Sequence, residues 1–172
     1  DFMIFKLNNR VVDVDLYRGP RLKKLVVGLF QRYIENLQDI MIAAVQTQPS
    51  FRPMGRFSDL QRLIKGYLGY GNKMGEGWLL TAEMLELIHT GTRNIVCTQP
   101  FGCLPNHVVG KGMIRRLKDD YPDSNIVAID YDPGASEVNQ LNRIKLMLSL
   151  AHEKIVKSAQ EAPLPSVSEV QG

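Results

Sequence analysis

Cysteine is scarce in this chain: two among 172 residues, Cys97 and Cys103. A secreted domain that leaned on disulfides would carry more of them, spread along its length. That class is excluded, and a reducing, cytoplasmic setting is expected. Long hydrophobic runs are also missing; Leu25–Phe30 is far too short to span a bilayer, so no membrane role is expected. An excess of one charge is absent too. Lys and Arg total 21 against 18 Asp and Glu, a formal +3, with the basic residues dispersed, which argues against a nucleic-acid partner. The start, Asp1-Phe2-Met3-Ile4, has neither an initiator Met nor the basic leader of a signal peptide. It reads as a beginning in mid-fold, and the expectation is a fragment of a larger multidomain protein. Familiar catalytic signatures are lacking as well: no His-x-Glu, no CxxC and no Ser-His-Asp arrangement occurs.

What is present is the balance of a soluble globular domain, with 44% hydrophobic and 23% charged residues. The first residues read as extended: Phe2–Leu7 and Arg10–Leu16 flank Asn8-Asn9 in the manner of a hairpin. From Arg21 the apolar period lengthens to three or four through Leu22, Leu29, Tyr33, Leu37 and Ala44, predicting a long amphipathic helix. Pro49 and Pro53 make Thr47–Arg56 a loop. Ser58 opens a shorter helix, with Leu60 and Leu63/Ile64 on one face. Gly66, Gly69 and Gly71 end it. Trp78–Thr90 is apolar on nearly every turn and predicts a buried helix stopped by Gly91.

Beyond Gly91 the pattern is strand, helix, strand. Asn94–Cys97 and Asn125–Asp130 are short apolar strands, and a crossover helix near His107–Asp119 lies between them. This is the size and order of a parallel βαβ unit, with both sheet faces expected to be covered by helices. Ser136 is placed to cap a last helix running from Glu137 to about Lys157. The fold class expected is therefore α/β: a three-layer Rossmann-like or flavodoxin-like domain with a parallel sheet and accessory N-terminal helices. Residues 1–56 would form an extended segment and a long helix packed on the core, 57–157 the α/β core, and 158–172 a mobile tail.

This topology sets three loops at the carboxyl edge of the sheet, each before a helix N-terminus: Gly71–Gly77, Pro100–Asn106 and Asp130–Ser136. Ligands of open α/β sheets bind at that edge, and the unpaired N–H groups of helix starts favour anions. Candidate ligand-binding residues are accordingly Gly75, Glu76, Gly77, Gly102, Asn106, His107, Asp130, Asp132 and Ser136. The glycine-rich segment is neither a Walker loop nor a dinucleotide fingerprint, and Gly110-Lys111-Gly112 falls within a helix. Each candidate has a plainer reading: Glu76 and His107 as solvated helix-end residues, Asp130 and Asp132 as turn aspartates. Cys103, in the loop Pro100–His107 stiffened by two prolines, is either a small packed thiol or a functional one. Cys97, inside a strand, reads better as core than as a metal ligand.

Three runs carry a resemblance. They are Gly75–Met84 (Gly-Glu-Gly-Trp-Leu-Leu-Thr-Ala-Glu-Met), Asn94–His107 with its Pro-Phe-Gly-Cys-Leu-Pro segment, and Ile129–Gln140 (Ile-Asp-Tyr-Asp-Pro-Gly-Ala-Ser-Glu-Val-Asn-Gln). Over roughly residues 50–150 the chain resembles the C-terminal region of the CoA-substrate-specific enzyme activases, the activators of 2-hydroxyacyl-CoA dehydratases of anaerobic bacteria. In those proteins this region, itself similar to dehydratase subunits, follows ATPase modules. The resemblance implies an iron–sulfur, [4Fe–4S], context in which Cys103 matches a ligand position, with Cys97 the weaker metal candidate. The other ligands would lie outside this chain, and ATP would bind only other domains of the parent, an ATP-dependent activase. Implied partners are the parent's ATPase modules, a 2-hydroxyacyl-CoA dehydratase or an acyl-CoA. The piece by itself would be inactive. Two other readings stand beside it: a non-catalytic docking scaffold, and a module binding an anionic small molecule such as a CoA phosphate.

Overall fold

The computed structural model describes residues 1–132, 134 and 136–161. Among these described residues six α-helices and two strands follow in the order α1 (Phe2–Leu16), α2 (Arg21–Gln46), α3 (Phe57–Leu63), α4 (Leu79–His89), β1 (Asn94–Pro100), α5 (Ile114–Asp120), β2 (Asn125–Tyr131) and α6 (Glu137–Glu161). The architecture is α/β, mostly helical, around a small parallel sheet.

The hairpin expected at the start is a helix instead. Asn8 and Asn9, read as a turn, are both buried within α1. The Asn8 Oδ1 accepts from Gln61 Nε2 at 3.1 Å, and Asn9 Nδ2 donates to the Lys73 carbonyl at 3.4 Å. Ile4, Phe5, Asn8 and Asn9 thus make one inward stripe at helical spacing, and tertiary hydrogen bonds carry the helix through two residues with a turn preference.

The core gathers around Trp78, fully buried immediately before α4. Phe5 meets its ring edge-on at 5.2 Å, Tyr70 lies at 5.2 Å and Phe57 at 5.7 Å. Leu60, Ile64, Leu79, Leu85, Leu117 and Ile126 extend the cluster from α3 to the sheet. α1, α3, α4 and the strands therefore share one core.

β1 and β2 pair in parallel, with Asn94 opposite Asn125 and Pro100 opposite Tyr131. Against one face lie α4 and the connection to α5. α6 runs along β2, where Arg143 donates to the Ala128 carbonyl, Gln140 to that of Asp130, and Asn125 to that of Met147. The expected double covering holds for β2 but not for β1. In β1 the residues Ile95, Cys97 and Gln99 are buried, while Asn94, Val96, Thr98 and Pro100 are exposed. The strand is also longer than the apolar run Asn94–Cys97, because pairing with β2 continues through Thr98–Pro100.

The crossover helix is broken where one helix over His107–Asp119 was expected. Asn106–Gly110 forms a π turn, Lys111–Met113 a 3₁₀ turn, and only then does α5 begin. The N–H of Lys111 reaches back to the Asn106 and His107 carbonyls, and the hydroxyl of buried Thr81 donates to the Val109 carbonyl. Gly110 lies against Cys97; a Cβ there would sit 3.4 Å from the sulfur, in ordinary contact. At the other end, α6 continues through Ser158–Glu161 rather than stopping near Lys157, since the turn-to-turn hydrogen bonding does not require an apolar period. The rest of the expected tail lies outside the described residues.

Among the described residues no helix is long and apolar enough to cross a membrane.

Candidate functional site

The loop between β1 and the π turn is built on a tight turn. Cys103 N–H donates to the Pro100 carbonyl at 3.2 Å, and Gly102 between them has φ +67°. A positive φ at the third turn position is the type II geometry that favours glycine. The turn leaves Phe101 and Leu104 exposed and sets Cys103 half-buried at the carboxyl end of β1. The Phe101 N–H bonds the Tyr131 carbonyl at 3.2 Å, which ties the loop to the end of β2.

Asn106 holds the thiol. Its Nδ2 donates to the Thr98 carbonyl at 2.9 Å, and its Oδ1 accepts from the Cys103 sulfur at 2.9 Å. A carbonyl oxygen only accepts, so the amide orientation follows, and the thiol is left to donate its proton to Oδ1. Asn106 is buried, and this side chain fixes the Cys103 sulfur relative to the strand.

His107 is not a base for that thiol. Its Nδ1 lies 2.8 Å from the Cys103 carbonyl, so that nitrogen carries a proton and donates it. Its Nε2 faces Asp130 Oδ1 at 3.9 Å, and Lys111 Nζ approaches the same oxygen at 3.5 Å. Both ring nitrogens have neighbours other than the sulfur, which argues against a Cys–His nucleophile. Lys111 was missed as a site residue by its placement within a helix. Its spacing of four from His107 was the available signal, because residues so spaced share a helix face.

The glycine-rich loop meets this one through proline. Gly75 has φ +59°, and a Cβ there would come within 2.9 Å of Pro105 Cγ. Gly77, φ +52°, is tighter still: a Cβ would land on the Asn72 carbonyl, which receives the Trp78 N–H at 2.7 Å. Gly77→Ala is expected to lower stability by about 2–3 kcal/mol, from left-handed strain plus displaced backbone. Gly71→Ala, with open space at its Cβ, is the control, and urea midpoints for the pair check the difference. Glu76 is half-buried and lends its carbonyl to the Leu79 N–H. A cleft of ≈ 190 Å³ between the two loops is lined by Lys73, Met74, Leu104, Pro105 and Val108 among others. A groove of ≈ 710 Å³ between Met41, Met54 and Leu87 shares no lining residue with it, and neither is lined by Cys103, His107 or Asp130.

The third loop stands apart from the thiol. Asp132 Oδ1 accepts the Gly134 N–H at 3.0 Å, a local turn bond. Ser136 precedes α6, and its carbonyl accepts from Asn139 and Gln140. Among the described residues of that loop, Asp130 reaches the neighbourhood of His107.

Cys97 is 8% exposed and its sulfur accepts from Gln99 Nε2 at 3.0 Å. Burial pushes its pKa up, and the Gln99 amide only partly opposes that. Gln99 itself is fully buried, and its Oε1 has no partner among the described residues. It was invisible as a site residue in the sequence, where only its spacing of two from Cys97 marks the shared face.

Both cysteines are free. Among the described residues no group of three or more His, Cys, Asp or Glu is placed to hold a metal ion. A four-thiolate cluster site cannot be assembled from these residues; at most one ligand position, the Cys103 sulfur, is presented outward. Ligation would require the thiol to give up its proton and Asn106 to turn its acceptor away. Compared with known proteins, the chain matches no family model, no curated protein and no solved structure.

Proposed function

We propose that this chain is the dehydratase-like domain of an activator of 2-hydroxyacyl-CoA dehydratases, a cytoplasmic protein, and that Cys103 supplies one thiolate of an iron–sulfur site completed from elsewhere. The observation that carries the reading is the half-exposed thiol held on a type II turn at the carboxyl edge of a parallel sheet. The resemblance of the Pro-Phe-Gly-Cys-Leu-Pro segment supplies the chemistry. The finer architecture, a three-layer Rossmann-like domain, is part of the same proposal. It is supported by helices on both sides of the strand pair and by the open face of β1, where further structure of a larger sheet has room to pack.

In this reading the chain's own residues position rather than react. The Pro100–Cys103 turn holds the sulfur, Gly75 packed on Pro105 braces the loop from the side, and Asn106 engages the sulfur only while the thiol keeps its proton. The experiment is the iron and acid-labile sulfide content of the protein purified without oxygen, with its natural partners, from the cells that make it. Iron should be present in the wild type, lost in Cys103→Ser and kept in Cys97→Ser. No iron in the wild type, or equal iron in Cys103→Ser, would remove the proposal and leave a docking scaffold as the reading.

A further inference from the structure

α2 turns an apolar stripe to solvent. Val26, Phe30, Tyr33, Leu37, Ile40 and Ala44 follow one another at spacings of four, three, four, three and four, and all are exposed. The inward face, against α1 and the core, is mixed: Ile34 packs on the core, Val27, Ile42 and Val45 are half-buried, Gln38 is buried, and half-buried Gln31 bonds Glu35 at 2.8 Å. The helix therefore carries two apolar faces, a mixed one inside and a heptad outside, where a helix whose only partner is its own core needs one. Such spacing is that of a coiled-coil seam.

The area suits a protein partner. With Leu22, Leu25, Leu29 and Met41 flanking it, the stripe leaves roughly 1,000 Å² of side chain in water, against ~300–600 Å² for the largest patch on a typical monomer. About 800 Å² from each side makes a stable complex.

Charge selects the occupant and its direction. The first turn of α2 holds Arg21, Lys23 and Lys24 and no acid, and its last turn has no base. Both ends are thus mismatched to the helix dipole. Lys24 is engaged by Asp15 at 2.6 Å, but Arg21 and Lys23 remain at the positive end. A second α2 laid antiparallel brings Arg21 and Lys23 beside the carbonyl end of its mate, and answers both mismatches at once. A parallel pairing would place two basic ends side by side. The spacing also reads the same in both directions. About a twofold axis near Glu35, Tyr33 meets Leu37 of the second copy, Phe30 meets its Ile40, and Val26 meets its Ala44, a larger residue against a smaller in each layer.

We propose that the chain forms a homodimer through antiparallel pairing of α2. Sedimentation velocity of the full chain over a dilution series should show a dimer that dissociates only at the lowest concentrations. Phe30→Glu with Leu37→Glu should be monomeric with unchanged far-ultraviolet circular dichroism, since both positions are exposed. Phe30→Ala with Leu37→Ala, which adds no charge, should raise the dissociation constant ~100-fold or more. Direction is read by oxidative cross-linking with Cys97 and Cys103 replaced by Ser. Tyr33→Cys chains mixed with Leu37→Cys chains should cross-link to each other, and neither should cross-link to itself. A monomer at every concentration, a dimer indifferent to both double variants, or efficient self-cross-linking of Tyr33→Cys would each overturn the proposal.

Discussion

Trp78→Ala should destabilise the fold by about 3–5 kcal/mol, the usual cost of emptying a large aromatic site in a core. Phe5, Phe57 and Tyr70 all rest against this one ring. They come from α1, from α3 and from the segment after it, so the cavity would open where three parts of the chain meet and no single helix could close it. Trp78→Phe should cost much less. It keeps a ring in the site, and it removes an indole N–H that has no partner among the described residues. Urea unfolding followed by circular dichroism measures the difference; fluorescence is ruled out because Trp78 is the one tryptophan in the chain. Equal midpoints for wild type and Trp78→Ala would mean that the ring does not organise the core.

The two thiols should differ in alkylation rate by about tenfold or more at neutral pH, Cys103 being the faster. Cys97 lies under the backbone of Gly110 and accepts from Gln99, and burial pushes its pKa up. Its thiolate fraction therefore rises only as pH climbs well above neutrality, and reagent reaches it only through local opening. Cys103 sits on a solvent-facing turn. Rates measured against pH by mass spectrometry, for Cys97→Ala and Cys103→Ala separately, check this. A faster rate at Cys97 would reverse the assignment of the two sulfurs.

The residues behind these two results were legible to different degrees. α2, α4, both strands and the start of α6 were readable, because each shows a clear apolar period bounded by Gly, Pro or Ser. The Cys103 loop stood out for its two prolines and one glycine, and the structure puts Gly102 where a type II turn requires a positive φ. α1 was misread because Asn8-Asn9 resembles a hairpin turn until Gln61 and the Lys73 carbonyl bind them. The π turn after Pro105 had no local signal. It depends on the hydroxyl of Thr81, 28 residues before Val109. Convergence of loops at the carboxyl edge was legible only in part. Gly75 meets Pro105 and Asp130 faces His107, but Asp132 closes a turn of its own. The Gly-Glu-Gly-Trp run that contributed to the resemblance has a structural reason here: Gly77 makes room for the Asn72 carbonyl, and Trp78 fills the core.

Whether the Cys103 sulfur binds iron, as proposed, decides the function. The most direct measurement replaces it with selenium: selenocysteine at position 103, with the protein purified without oxygen alongside its natural partners, examined by X-ray absorption at the selenium edge. Iron is expected in the first shell around selenium. A first shell of carbon alone, in a sample that still contains its iron, would contradict it.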